Sequence, residues 1–232
     1  MSTGPSPGRA TAEIFGRLAV ELHAVGGVEE TVEAVVQFAL QAVRCKYASV
    51  VLIARGRRPQ IMATTDPNIA GLFHEQIEAR AGPLLTTIAQ QQVVLIPDVA
   101  TETRWSPQWA EQITAVGVRS ALHLPLIVHR RTGAVLSLFS DQPGAFDADD
   151  IAVAHILARH AAVAIAAARD EFSMTQAVDA RKLVDQAMGI LMERYDLDAD
   201  RAFEVLKRYS QHHNRKLHDV AQELIDTRHL PR

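Results

Sequence analysis

A single cysteine, Cys45, in 232 residues excludes an intrachain disulfide framework and suits a reducing, cytoplasmic setting. Aromatic residues make up only 5% of the chain, so alanine and valine must fill much of its core. A marked excess of either charge is also missing. The 24 basic and 27 acidic residues leave a formal net charge of −3, so contact with a polyanion has to come from a local patch. No uninterrupted apolar run approaches the ~18 residues of a membrane span. The opening MSTGPSPGRA lacks the apolar region of a secretory signal, so a cytoplasmic location without a membrane partner is expected. P-loop, G-x-G-x-x-G, H-E-x-x-H and G-x-S-x-G motifs are missing, and no enzymatic activity, cofactor or metal is expected.

What is present has room for about two domains. Residues 1–9 are rich in Ser, Gly and Pro and are expected to be disordered. Amphipathic spacing predicts helices over Ala10–Ala24 and Glu29–Val43. The period then shortens, predicting strands over Tyr47–Ala54 and Gln60–Thr64 with a turn at Gly56. Helices from Pro67 toward Arg80 and over Pro83–Gln91 precede a strand at Val93–Ile96. Trp105 and Trp109 are placed on a loop leading into a helix that ends near Gly117. Strands over Arg119–Val128 and Ala134–Ser140 follow, with Arg130–Gly133 as their turn. The plan is α+β: a mostly antiparallel sheet flanked by helices.

Asp147 and Asp150 can cap a helix that meets no Gly or Pro until Gly189, so 148–194 is expected to be nearly continuous. Val153, Ile156, His160, Val163, Ala167, Met174 and Val178 follow a rough 3-4 spacing along it, as in a coiled-coil seam. One face is expected on the sheet and one against a second subunit, making a homodimer. Cys45 lies beside Arg44 and Lys46, whose charges favour a thiolate; the competing reading is a half-buried thiol. Asp98 is rejected as a phosphoacceptor, since the parallel βα alternation of a receiver domain is missing.

The last fifty residues read as three short amphipathic helices. Leu183, Ala187, Ile190 and Leu191, closing with Arg194, mark the first. Asp198 offers an N-cap to the second, whose Ala202, Phe203, Leu206 and Tyr209 share one face. Asn214, tolerant of the left-handed conformation, marks the break before a third that buries Leu217, Val220, Ala221, Leu224 and Ile225. None would be stable alone, and a small bundle is expected. Between Val205 and His218 there is no Asp or Glu, while Lys207, Arg208, Arg215 and Lys216 fall there with His212, His213 and His218. Such a window suits phosphate contact; cations also collect at helix C-termini for macrodipole reasons alone. The adjacent histidines point in different directions on a helix, which argues against a metal site.

The run Gln186–Arg194, then Ala202-Phe203, Leu206-Lys207, Ser210, Asn214, Lys216-Leu217 and Asp219-Val220-Ala221, resembles the ANTAR domain, a three-helix RNA-binding module of bacterial transcription antiterminators. Met188 stands where many members carry lysine, and Lys207 where arginine is common. The segments IPDVATETRW, GVRSALHLPLIV and GAVLSLFSDQPGAFDADD resemble a GAF domain, a sensory fold of which some members bind cyclic nucleotides, haem or bilins. The resemblances imply a GAF-like sensor over 10–168, a helical linker over 169–180 and an ANTAR domain over 181–232. They imply a regulator that binds a two-stem-loop element of nascent RNA competing with a terminator hairpin, under control of a small molecule or partner protein at the GAF domain. Lys207, Arg208, Arg215 and Lys216 would meet phosphates, with His218 in the same window, and Ser210 and Asn214 would read base edges or 2′-hydroxyls. Tyr209 would stack a base or stay in the core. Ala187, Gly189, Ala202 and Ala221 would let the helices approach. The alternative is a ligand-sensing or interaction module whose bundle mediates dimerisation or partner docking; RNA binding, unlike apolar docking, should weaken steeply with salt.

Overall fold

Helix α1, Val28–Ala42, buries Val32, Val35, Val36 and Ala39, the stripe its sequence spacing predicts. The computed structural model describes residues 27–53, 58–128 and 130–229, apart from the side chain of Phe172. The expected disorder of 1–9, the helix over 10–24 and the turn at Gly56 lie outside the described residues.

Strands β1, Tyr47–Leu52, and β2, Gln60–Thr64, follow. Asp66 opens α2, Pro67–Ala79, by accepting a hydrogen bond from the Asn68 amide at 2.7 Å, with proline at the first helical position. Helix α3, Pro83–Gln90, starts at Gly82, where φ is +115° and an added Cβ would lie 2.5 Å from the Gln76 side chain. Gln76 is held there by accepting from the Leu84 amide at 3.0 Å. Strand β3, Val94–Ile96, leads through a 3-10 turn over Val99–Thr101 to α4, Pro107–Ala115. Asp98 caps that turn through the Ala100 amide and pairs with Arg119, which explains the residue without a phosphoacceptor role. The chain continues through β4, Ser120–Val128, and β5, Arg131–Ser140, to α5, Ala148–Tyr195. Helices α6, Ala199–His212, and α7, Leu217–Thr227, complete it.

The strands form one five-stranded sheet in the order β2-β1-β5-β4-β3, antiparallel throughout. Both faces are covered. Ala134, Leu136 and Leu138 of β5 join α1 and α5 in one core. Val135 and Phe139, from alternate positions, join α2, α3 and α4 in the other. Burial on both sides is why β5 reads as an almost continuous apolar run.

Two sequence expectations need correction here. Trp109 lies in the first turn of α4, capped by Ser106, and is buried rather than on a loop. Residues 131–133 belong to β5 instead of a four-residue turn. Val128 pairs with Arg131 and Arg130 takes a φ of +64°, so the hairpin is tight. Leu126 pairs with Ala134 and Ile127 with Thr132, leaving Gly133 as the extra residue of a bulge. A Cβ there would sit 3.0 Å from the Val128 side chain, so the glycine marks a bulge, and sequence alone reads it as a turn.

Helix α5 begins with a reciprocal cap: the Asp147 carboxylate accepts from the Asp149 and Asp150 amides, and Asp150 accepts from the Asp147 amide. Arg44, after α1, pairs with both carboxylates. By length and composition α5 could cross a membrane, since its most apolar 18-residue window has a mean hydropathy of 1.7 with 39% of it buried. Ala154, Leu157, Ala158, Ala161 and Ile165 on that helix pack in the sheet's core. Ile156, Val163, Met174 and Val178 of the predicted seam are exposed. Contacts divide the chain into two compact units, one reaching Arg169 and one starting at Asp170. The Cys45 thiol donates to the Ala39 carbonyl, and burial pushes its pKa up to about 12, against a thiolate role.

The face packed on α2, α3 and α4 buries an imidazole. His123 of β4 is fully buried; its Nδ1 lies 2.8 Å from the Ser137 hydroxyl, and its Nε2 has no hydrogen-bond partner among the described residues. Burial, with the Arg104 charge adding to it, pushes the imidazole down to about 3. In the unfolded chain it titrates near about 6.5. Between these values the unfolded state holds a proton that the folded state refuses, so stability falls as pH drops through the window, by up to about 1.4 kcal/mol per pH unit. Urea unfolding at pH 7 and pH 5 should show this loss, and His123→Gln should flatten it; an unchanged pH slope in the variant would rule it out.

Candidate nucleic-acid interface

The second unit is held by a core of Ala187, Leu191, Ala202, Leu206, Val220, Ala221 and Leu224. Spacing predicts each of these positions. Phe203 departs from expectation, being 38% exposed instead of sharing the buried face of α6. Asp198 caps α6 by accepting from the Arg201 amide at 2.8 Å.

The end of α6 is closed by backbone bonds that turn back onto its last carbonyls. Asn214 takes a φ of +50°. Its amide donates to the Gln211 carbonyl at 3.3 Å, and the next amide, Arg215, reaches back to the Ser210 carbonyl at 3.0 Å. This is a Schellman motif, with asparagine in the left-handed position that glycine most often fills. The Ser210 hydroxyl tightens it, donating to the Arg215 carbonyl at 2.6 Å. Lys216 then caps α7 through its carbonyl, which accepts from the Asp219 and Val220 amides.

Lys207, Arg208, Ser210, Asn214, Arg215, Lys216 and His218 therefore belong to one helix end, the turn and the next helix start. Their ion pairing differs. Lys207 is 2.8 Å from Glu204, Arg215 is 2.5 Å from Glu223, and His218 is 2.9 Å from Asp219. Arg208 and Lys216 are exposed and make no ion pair among the described residues. The acid-free stretch in sequence is thus partly neutralised by Glu204, the residue just before it, and by Glu223, five residues beyond its end. Ser210's proton is committed to the turn, which makes that residue a clip for the site. Asn214 is exposed and its backbone sets the break.

Sequence reasoning set aside a ring cluster at this place. Tyr209 and His213 stack with centroids 5.2 Å apart and planes at 24°, and His212 meets His213 edge-on at 5.1 Å. The i, i+4 spacing of Tyr209 and His213 is the signal that could have found it. Among the described residues no group of His, Cys, Asp and Glu could hold a metal.

In the first unit, a cleft of about 640 Å³ lies among Gln76, Gly82, Arg104, Trp105, Trp109 and Gln112. Trp105 and Trp109 pack with centroids 5.3 Å apart, and the Arg104 guanidinium sits 4.5 Å above the Trp105 ring. The indole Nε1 of Trp109 is buried without a partner, like His123 Nε2.

Comparison with known proteins gives each unit a counterpart. A GAF domain model matches residues 27–166, and an ANTAR domain model matches residues 173–225. The chain resembles the GAF domain of an Acinetobacter phosphoenolpyruvate-protein phosphotransferase, with 16% identity, a TM-score of 0.56 and coverage of 75% of this chain and 99% of that one. The corresponding GAF domain from Coxiella burnetii gives 18% identity, a TM-score of 0.58 and coverage of 72% and 99%. A free methionine-R-sulfoxide reductase from Neisseria meningitidis gives 14%, 0.57, 74% and 97% in the same measures. At these identities the likeness shows the fold. No curated protein matches the chain.

Gly189, expected to let helices approach, does not do so: an added Cβ would meet nothing within 4 Å. Glycine inside a helix costs about 0.5–1 kcal/mol relative to alanine. Gly189→Ala should therefore raise the unfolding free energy by about that amount in thermal or denaturant unfolding, and a lower melting temperature would contradict the open space.

Proposed function

The chain belongs to the GAF family and ends in an ANTAR domain, and from this premise we propose a cytoplasmic, RNA-binding antitermination regulator that recognises a two-hairpin element of nascent RNA. Bound there, it would keep the terminator hairpin from forming. The observation carrying this reading is the Schellman turn between α6 and α7, with an exposed asparagine and, in the segments flanking it, Arg208 and Lys216, which make no ion pair among the described residues. RNA loops offer phosphates to such cations and splayed bases to amides and rings. Arg215 and Lys207 join when phosphate replaces the carboxylates of Glu223 and Glu204. Exposed ion pairs of this kind are worth no more than about 1 kcal/mol, so exchanging partners costs little.

The GAF domain supplies the input. A ligand or partner would act near the Arg104–Trp105–Trp109 cleft, where the Trp109 indole lacks a partner. In this reading the sensor occupies 10–168, residues 169–180 link it within α5, and the ANTAR domain occupies 181–232. The exposed seam on α5 pairs two copies into a homodimer: Val163, 65% exposed, is its most open large hydrophobic in the sensor. Light scattering on the full chain should report a dimer, and Val163→Glu should shift it to monomer while far-UV circular dichroism stays unchanged. A wild-type monomer at tens of micromolar would sink the pairing.

A second reading, in which the bundle docks a protein, is favoured by the exposed Met192, Tyr195 and Phe203. Salt separates the two. Replacing Arg208 and Lys216 with alanine touches no core position and should change stability by no more than about 0.5 kcal/mol per site. Affinity for a two-hairpin RNA should fall, and the slope of log affinity against log salt should shrink by about one unit per lost phosphate contact. Binding that ignores both salt and the double substitution would favour docking.

A further inference from the structure

The end of α6 carries more than charge. Tyr209 is packed against the bundle core, and the His213 ring lies on it at 5.2 Å with the planes at 24°. His212 adds its ring edge-on to His213 at 5.1 Å. The anchored tyrosine thus holds two exposed imidazoles in a continuous aromatic surface. Neither imidazole makes a hydrogen bond or ion pair among the described residues.

Their place is set by backbone. The His213 amide bonds to the Tyr209 carbonyl at 3.1 Å, and the left-handed Asn214 ends the helix immediately after it. The rings therefore stand at the closed end of a helix instead of on a loose tail. The chain from Val205 to His218 contains no carboxylate, and Arg208, four residues before His212, and Lys216, three after His213, make no ion pair among the described residues. An apolar peptide would not need the cations, and an acidic one would gain nothing from the flat rings. A nucleotide offers both a π-face and a phosphate, in the arrangement this surface complements.

We infer that His213 and His212, backed by Tyr209, form a stacking platform for an unpaired base of the RNA loop. The inference rests on the RNA reading above and adds to it a base-contacting role for two residues outside the phosphate contacts. The rings hold the base by its face, so the platform accepts any base, while Arg208 and Lys216 take the flanking phosphates. Stacking of this kind is lost on truncation to alanine with an affinity cost of about tenfold or more.

The test uses the full chain and the two-hairpin RNA that it selects from a pool of random-loop hairpin pairs, with 2-aminopurine placed at each loop position in turn. The wild type should quench one position by stacking. His213→Ala should lose that quench and about tenfold or more in affinity, with the salt slope unchanged because no phosphate contact is removed. His213→Phe should restore quench and affinity, since a flat ring suffices, and His213→Gln should not. If the alanine variant melts early, the phenylalanine variant decides: a restored fold without restored affinity overturns the platform. Full affinity and an unchanged quench in a His212→Ala, His213→Ala double variant would overturn it as well, leaving RNA binding by charge intact. A wild type that selects no RNA would instead overturn the RNA reading, and the platform with it.

Discussion

One helix has to supply a buried face to two separate cores. Helix α5 gives Ala154, Leu157, Ala161 and Ile165 to the core beneath the sheet, and Ala187 and Leu191 to the core of the C-terminal bundle. Alanine makes up half of each set, which lets neighbouring elements approach its backbone closely. The helix can run so far because its start is well anchored. Asp147 and Asp150 satisfy orphan amides at its first turn, place negative charge at the positive end of the helix dipole, and hold Arg44. The Asp147 carboxyl is held below its ordinary range first by its bond from the Asp150 amide, with Arg44 reinforcing it.

The bundle shows how a binding surface follows from satisfying a helix end. Four carbonyls at the end of any helix need donors. At α6, the amides of Asn214 and Arg215 turn back to supply donors, and the Ser210 hydroxyl closes the loop. That closure fixes where Arg208, Lys216, His212 and His213 stand. Cations near a helix C-terminus are favoured by the dipole in any case, so the same arrangement that stabilises the fold gathers positive charge for a polyanion. The Glu204 and Glu223 carboxylates hold two of the cations in the meantime.

The sheet presents a different economy. The face toward α2, α3 and α4 carries a row of polar residues across three strands, where Ser49 pairs in register with Ser137 and Ser137 with His123. Ser49 donates to the Ala63 carbonyl and His123 meets Ser137, but among the described residues one imidazole nitrogen and the Trp109 indole have no partner. An unsatisfied buried polar group costs about 1–3 kcal/mol, so each is a place where added ligand or movement has something to gain. That gives a sensory role a physical footing in this chain's own residues.

Periodicity determined most elements without help: α1, β1, β2, α3 and the core positions of α6 and α7 stand where apolar spacing places them, because spacing is a local property of the chain. The acid-free stretch and the Asn214 break were equally legible, so the region of the candidate site could be named from residues alone. Tertiary structure decided the rest. It made Gly133 a bulge and buried Trp109, since both depend on which strand or core lies opposite. It neutralised Lys207 and Arg215 with acids outside the window, a pairing that follows from helix geometry and side-chain reach. It left Phe203 partly exposed and Gly189 facing open space, and it stacked His213 on Tyr209. Sequence order specifies what each helix face contains; only packing specifies what that face meets, and the charge and aromatic surface offered to a partner are set by what remains unmet.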